Sequence, residues 1–143
     1  MRKALLDTDI FSEILKGKDA TVRHRATAYQ AALGDLTISA ITVMEVVKGL
    51  HKVRREAAVA KFLSGLGALD VIDIDTAIAT LAGRIYADLE RAGRPIGRAD
   101  PLVAAAALVH DCDLVTGNVA HFAAIQGVGY PLVIDNWREP AVG

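Results

Sequence analysis

Short apolar runs and longer mixed runs alternate along this chain. Lys3–Leu6 is a brief apolar stretch that ends at Asp7, and its length suits a strand. Thr8–Lys16 follows with helix-like spacing and stops at Gly17. Thr21–Leu33 reads as a second helix, with Asp19 placed to cap it and Gly34 to end it. Leu36–Ser39, Leu69–Ile72, Leu114–Thr116 and Leu132–Ile134 are further short runs of strand type. Between them the pattern predicts helices over Ala40–Lys52, Glu56–Leu66, Thr76–Ala92 and Pro101–His110. The last of these is apolar on every side, which places it in the interior. The 25 alanines favour the helical assignments.

Strands that alternate with helices imply βαβ units and a parallel sheet covered on both faces. No repeat or linker interrupts the 143 residues, so residues 1–143 read as one domain. Ligands in such α/β folds bind beyond the carboxyl ends of the strands. Polar residues that directly follow a strand are therefore the first place to look for chemistry.

Composition narrows the classes. Apolar residues make up 52% of the chain and charged residues 23%, which excludes a disordered chain. Sixteen Lys and Arg against 17 Asp and Glu give a net charge of −1, so no bulk positive field attracts nucleic acid. Cys112 is the single cysteine and has no internal disulfide partner; it reads as a small buried hydrophobe and suits a reducing compartment. Asp7, Asp9 and Glu13 interrupt what would be a leader's apolar stretch, and no apolar run approaches the ~20 residues of a membrane span. The expectation is a cytoplasmic protein with no membrane partner.

Four polar positions follow the strand rule. Asp7 ends the first strand, Glu45 lies on the helix after the second, Asp100 opens the interior helix, and Asn118 follows Leu114–Thr116. Each also has a plain structural role. Asp7 suits a helix cap, and so does Asp100 before Pro101. Glu45 suits an exposed pair with Lys48, and Asn118 suits a turn. On a helical wheel Ala40, Val43, Met44, Val46, Val47 and Leu50 share one apolar face, and Glu45 points away from it, into solvent or a cleft. As a set, three carboxylates and an amide at one crevice repel each other unless cations lie between them. Hard cations such as Mg²⁺, or Mn²⁺ in its place, match oxygen donors of this kind. Two such ions about 3.5–4 Å apart activate a water and stabilise the leaving oxygen of a phosphodiester.

The segments LLDTDIFSEIL, ISAITVMEVVKGL, RPIGRADPLVAAAAL and LVTGNVAHF, in this order, resemble the successive motifs of PIN domains, and most of all those of the VapC-type toxins of bacterial toxin–antitoxin pairs. That resemblance runs over nearly the whole chain. It implies an α/β/α sandwich around a parallel sheet of four or five strands, and a metal-dependent endoribonuclease acting on tRNA or rRNA. It further implies homodimers and an antitoxin protein that covers the acidic cleft. On the family pattern Asp7, Glu45 and Asp100 match the core carboxylates that hold the metal. The fourth acidic position is Asn118, an amide without charge. Thr8, Ser12 and Thr116 match positions where the family places small hydroxyl residues around the acids. Asp9, two residues from Asp7, reads as a helix-start residue.

Basic residues fall in three groups: Lys48, Lys52, Arg54 and Arg55; Arg23 and Arg25; and Arg91, Arg94 and Arg98. The first two read as solvated helix faces. Arg94 and Arg98 lead into Asp100 and, with Lys48 near Glu45, are the candidates for RNA phosphates. Three alternatives use other chemistry. His24, His51, His110 and His121 offer metal-free acid–base catalysis, although their spacing places no two together. A PIN-like module weakened by Asn118 would bind RNA or protein and cut little. An aspartyl phosphatase of the haloacid-dehalogenase type would use Asp7 as nucleophile, but Phe11 stands where that family has Thr or Val.

Overall fold

In the computed structural model, which describes residues 1–142, the strands are β1 (Ala4–Leu6), β2 (Thr37–Ser39), β3 (Asp70–Ile72), β4 (Asp113–Val115) and β5 (Ile134–Asp135). The helices are α1 (Thr8–Lys16), α2 (Ala20–Leu33), α3 (Ala40–Lys52), α4 (Glu56–Ser64), α5 (Thr76–Arg91), α6 (Ala99–Val109) and α7 (Val119–Gly127), with a 3₁₀ turn at Leu66–Ala68. All five strands pair in parallel in the order β3-β2-β1-β4-β5. The sheet is the four- or five-stranded parallel sheet expected, at its upper count.

Alternation along each strand divides the core in two. Leu5, Ile72 and Leu114 face one side and pack against Ile78, Ile85 and Leu89 of α5, Val103–Ala107 of α6, and Phe122 and Ile125 of α7. Ala4, Leu6, Ile38 and Val115 face the other side and pack against Ile10 and Phe11 of α1 and Val22, Ala26 and Tyr29 of α2. Helices therefore cover both faces, giving the three-layer sandwich. The four consecutive alanines of α6, each fully buried, let that helix lie close to the sheet.

The direction in which successive strands are added reverses at β1. From β1 the chain winds outward through β2 and β3, then returns to build β4 and β5 on the other side. The switch point lies between β1 and β4, and at such a point the loops at the strand ends part and leave a crevice. Three helices begin directly at this end of the sheet: α1 after β1, α3 after β2 and α7 after β4. Their N-termini carry partial positive charge, which favours carboxylates and anions there.

Several boundaries differ from the sequence pattern. The helix expected to reach Leu66 ends at Ser64, and Gly65 and Gly67 flank a 3₁₀ turn instead. The interior helix begins at Ala99 rather than Pro101, so Arg98 is the cap and Asp100 lies in the first turn. Proline is tolerated there because the first four N–H groups of a helix lack intrahelical acceptors. The last strand is Ile134–Asp135, not Leu132–Ile134. Helix α7 had no counterpart in the sequence pattern. On α3, Met44 is 53% exposed while Thr42 is 1% exposed. That helix contacts α1 and α4 on one flank and α6 on another, so its buried surface is not a single stripe.

Arg25 also departs from a solvated helix face. Its guanidinium donates to both carboxylate oxygens of Asp135, at 3.1 and 2.6 Å, and lies over the Trp137 ring. Trp137 in turn packs on Tyr29, so the C-terminal tail is fastened to α2.

Candidate active site

Asp7 sits at the C-terminal end of β1, where its backbone N–H still completes the sheet by donating to Val115 O at 2.8 Å. As the N-cap of α1, its Oδ1 accepts from the Thr8 N–H at 2.9 Å. Its Oδ2 accepts from the Thr116 hydroxyl at 2.9 Å, on the far side of the switch point. Only 6% of Asp7 is exposed. Burial raises its pKa from 3.8 to about 6 against the two hydrogen bonds, and the charges of Asp9 and Asp100 push the same way. The cap role and the site role thus belong to one side chain.

Thr8 links Asp7 to Glu45. Its N–H serves Asp7, and its hydroxyl donates to Glu45 Oε1 at 2.8 Å beside Thr42 Oγ1 at 2.9 Å. Glu45 therefore points into a cleft rather than into solvent. Thr42 is a site residue the sequence did not single out; only its place one turn before Glu45 hinted at it. Ser12, one turn after Thr8, lines the adjoining groove with Glu45.

On the β4 side, Thr116 Oγ1 also accepts from the Asn118 N–H at 3.0 Å. One hydroxyl thus holds both Asp7 and the turn that presents Asn118. The Asn118 side chain is exposed at the start of α7 and makes no capping bond. Asp100 reaches the site from the first turn of α6, and its Oδ2 lies 3.3 Å from His121 Nδ1 on α7. His121 is the one histidine placed here: His110 ends α6 at its opposite pole, and His51 pairs with Glu56. Two histidines do not converge for metal-free acid–base chemistry.

Asp9 proves to be more than a helix-start residue. Its Oδ1 accepts from the Ile10 N–H at 2.8 Å, and its Oδ2 accepts from the Gly117 N–H at 2.8 Å. Arg138 closes the arrangement, with Nη1 3.3 Å from Asp9 and Nη2 3.7 Å from Glu13. A tie spanning 129 residues leaves no local sequence signal.

The basic candidates lie farther out. Arg98 caps α6 two residues before Asp100, and Lys48 is exposed one turn beyond Glu45. Arg94 lies against Gly127, at the end of α7 opposite Asn118. Among the described residues no three His, Cys, Asp or Glu side chains close into a ready-made metal cage. Asp7, Glu45 and Asp100 approach one crevice without enclosing it.

An acid at the end of β1, a second on α3, a third at the start of α6 and a Thr-x-Asn turn after β4 thus stand on a five-stranded parallel sheet covered by helices on both faces. The PIN-domain family matches residues 4–127. The chain belongs to that family. Its similarity to individual members extends over almost the full chain. It is 37% identical over 132 residues to the tRNA(fMet)-specific endonuclease VapC of Shigella flexneri, covering 90% of this chain and 96% of that one. It is 30% identical to Ribonuclease VapC2 of Haemophilus influenzae strain KW20, covering 96% and 99%. The DNA-bound VapBC structure from Salmonella typhimurium superimposes with a TM-score of 0.80 at 31% identity, covering 96% and 99%. This PIN domain is thus of the VapC type in sequence and in fold. No helix among its described residues is long and apolar enough to cross a membrane.

Proposed function

We propose that this PIN domain is a Mg²⁺- or Mn²⁺-dependent endoribonuclease toxin that cuts structured RNA, tRNA or rRNA, and is held in check by an antitoxin protein. The observation that carries the reading is the clamp on Asp7: a buried carboxylate bonded from β1 and β4 at the switch point, with Glu45 and Asp100 beside it. Proteins similar to this chain bear the names of ribonucleases, one of them specific for tRNA(fMet).

The donor set fits a hard, hydrated cation. Every candidate donor is an oxygen. Asp7 receives one hydrogen bond on each carboxylate oxygen, which leaves lone pairs free on both. The open arrangement also suits Mg²⁺, which keeps several waters and takes only one or two carboxylates. Asp7, Asp100 and Glu45 would hold the ion. When bound, it lowers the pKa of water and neutralises charge on the phosphodiester. The chain's own residues do the rest. Thr8 and Thr116 fix the Asp7 and Glu45 carboxylates, and the helix N-termini offset the repulsion of gathering acids. The Asn118 amide, exposed at the rim, is placed to orient a water or a phosphate oxygen. Arg98 and Lys48 flank the crevice from α6 and α3 and suit phosphates on either side of the cut.

A groove of about 780 Å³ runs from Thr8, Ser12 and Glu45 between α1, α3 and α4, lined by Phe11, Ile14, Val46, Leu50 and Phe62. An apolar antitoxin segment laid there would reach Glu45 and block the crevice. Solved relatives are VapBC toxin–antitoxin complexes, which supports a partner of this kind.

The test uses purified chain with total tRNA and rRNA under Mg²⁺, Mn²⁺ or chelator, beside Asp7→Asn. Discrete metal-dependent cuts with 5′-phosphate and 3′-hydroxyl ends, absent in the variant, are expected. Cuts that persist in chelator or end in a 2′,3′-cyclic phosphate would overturn the reading.

A further inference from the structure

Ser39 ends β2 and is 1% exposed, yet among the described residues its hydroxyl is the one buried side-chain polar atom without a hydrogen-bond partner. It occupies the cap position of α3 but makes no capping bond, unlike Asp7, Asp19 and Asp75 at their helices. A buried unpaired hydroxyl is costly, and native proteins keep one only for a reason.

Register places this hydroxyl. Leu5 pairs with Thr37, so two residues on Asp7 lies beside Ser39; Leu6 pairs with Val115, so Asp7 lies beside Thr116 on the other side. Ser39 pairs with Ile72, whose side chain belongs to the core on the α5 and α6 face. Alternation along β1 and β4 puts Asp7 and Thr116 on that same face, one residue past Leu6 and Val115, which face the other way. Three oxygen-bearing side chains, Ser39, Asp7 and Thr116, thus stand in a row across three adjacent strand ends. They lie under α6, whose first turn carries Asp100. Thr116 gives its proton to Asp7. Ser39, at the mirrored position about 4.8 Å away along the sheet, gives its proton to nothing.

We propose that Ser39 is a positioning residue of the Asp7 site, whose hydroxyl gains its partner, an oxygen of the site's own ligand shell, when a divalent cation binds. This rests on the metal-dependent reading above. In the resting protein the unpaired hydroxyl is a small standing cost. Cation binding removes it, so Ser39 adds to affinity without holding the ion directly. Thr37, two residues earlier, is equally buried, but its hydroxyl already donates to Asp70 at 3.2 Å, at the opposite end of the strand.

The experiment titrates Mn²⁺ into purified protein and reads free Mn²⁺ by its magnetic resonance signal, with thermal unfolding in chelator alongside. Wild type, Ser39→Ala, Thr37→Val and Asp7→Asn are compared. Ser39→Ala is expected to unfold in chelator at the wild-type temperature or above, while binding Mn²⁺ about fivefold more weakly, the worth of one ordinary hydrogen bond. Thr37→Val should do the reverse, melting lower and keeping wild-type Mn²⁺ affinity. Wild-type affinity in Ser39→Ala, or a lower melting temperature for it in chelator, would overturn the proposal and leave the metal-dependent reading standing. A wild-type chain that binds Mn²⁺ no better than Asp7→Asn would overturn both.

Discussion

The Thr116 hydroxyl donates to Asp7 Oδ2 across 2.9 Å, joining the ends of two adjacent strands whose residues are 109 apart in sequence. Because Thr116 also accepts from Asn118, it cannot be replaced by an apolar group without loosening both sides of the crevice. Thr116→Val should destabilise the protein by about 1–3 kcal/mol and push Asp7 further above its ordinary range. RNA cleavage should fall and its pH profile should move to higher pH. Thr116→Ser should restore the profile. A Val variant with an unchanged profile would remove Thr116 from the site.

The pH dependence of stability follows from Asp7 itself. Its folded pKa of about 6 lies above the ordinary 3.8, so the folded protein binds the proton more tightly than the unfolded chain does. The associated stability is fully present below pH ~4 and is lost as pH rises through ~6. In chelator, Asp7→Asn should therefore be more stable than wild type at pH 8, by on the order of 3 kcal/mol, with the difference shrinking toward pH 4. Denaturant titrations at several pH values measure this. Equal stability of the two at pH 8 would contradict a carboxylate whose charge is disfavoured by burial.

Asn118→Asp would restore a charge at the mouth of the crevice. It should lower the Mn²⁺ concentration for half-maximal cleavage about fivefold, as roughly 1 kcal/mol of added attraction gives. An unchanged Mn²⁺ dependence would place residue 118 outside the reach of the ion.

Gly117 is needed for space rather than for backbone freedom. A Cβ there would lie 1.9 Å from Arg138 Nη1 and 2.6 Å from Asp9 Oδ2. Gly117→Ala should expel the Arg138 side chain and strain the Asp9 bond, at a cost of about 1–3 kcal/mol. Arg138→Ala in the same background should recover much of the loss, because the first clash is then gone. Strict additivity of the two in thermal unfolding would show that they do not meet.

What the sequence revealed and what it hid divide by distance along the chain. Asp7 was legible because an apolar run stops at it and a helix ending in Gly17 begins after it. Glu45 was legible as the acid that breaks an apolar helix. The buried face of α3 was misread because a wheel supposes one contact surface, and this helix has two; Thr42 was lost and Met44 wrongly placed inside. Helix α7 was hidden because its apolar residues are spread around the helix and Asn118 reads equally well as a turn residue. Asp9, Gly117 and Arg138 meet only in three dimensions, as do Ser39, Asp7 and Thr116. No local pattern encodes a register.

The strand order also has a consequence in time. β1 is the first strand made and the central one in the sheet, yet one of its two neighbours, β4, is among the last. While the ribosome is still extending the chain, Asp7 has no Thr116 to bond, no Asp100 beside it and no Arg138 behind Asp9. The acids come together only when almost the entire polypeptide has emerged. The crevice proposed above as a ribonuclease site is thus incomplete for nearly the whole of synthesis and is completed only at release.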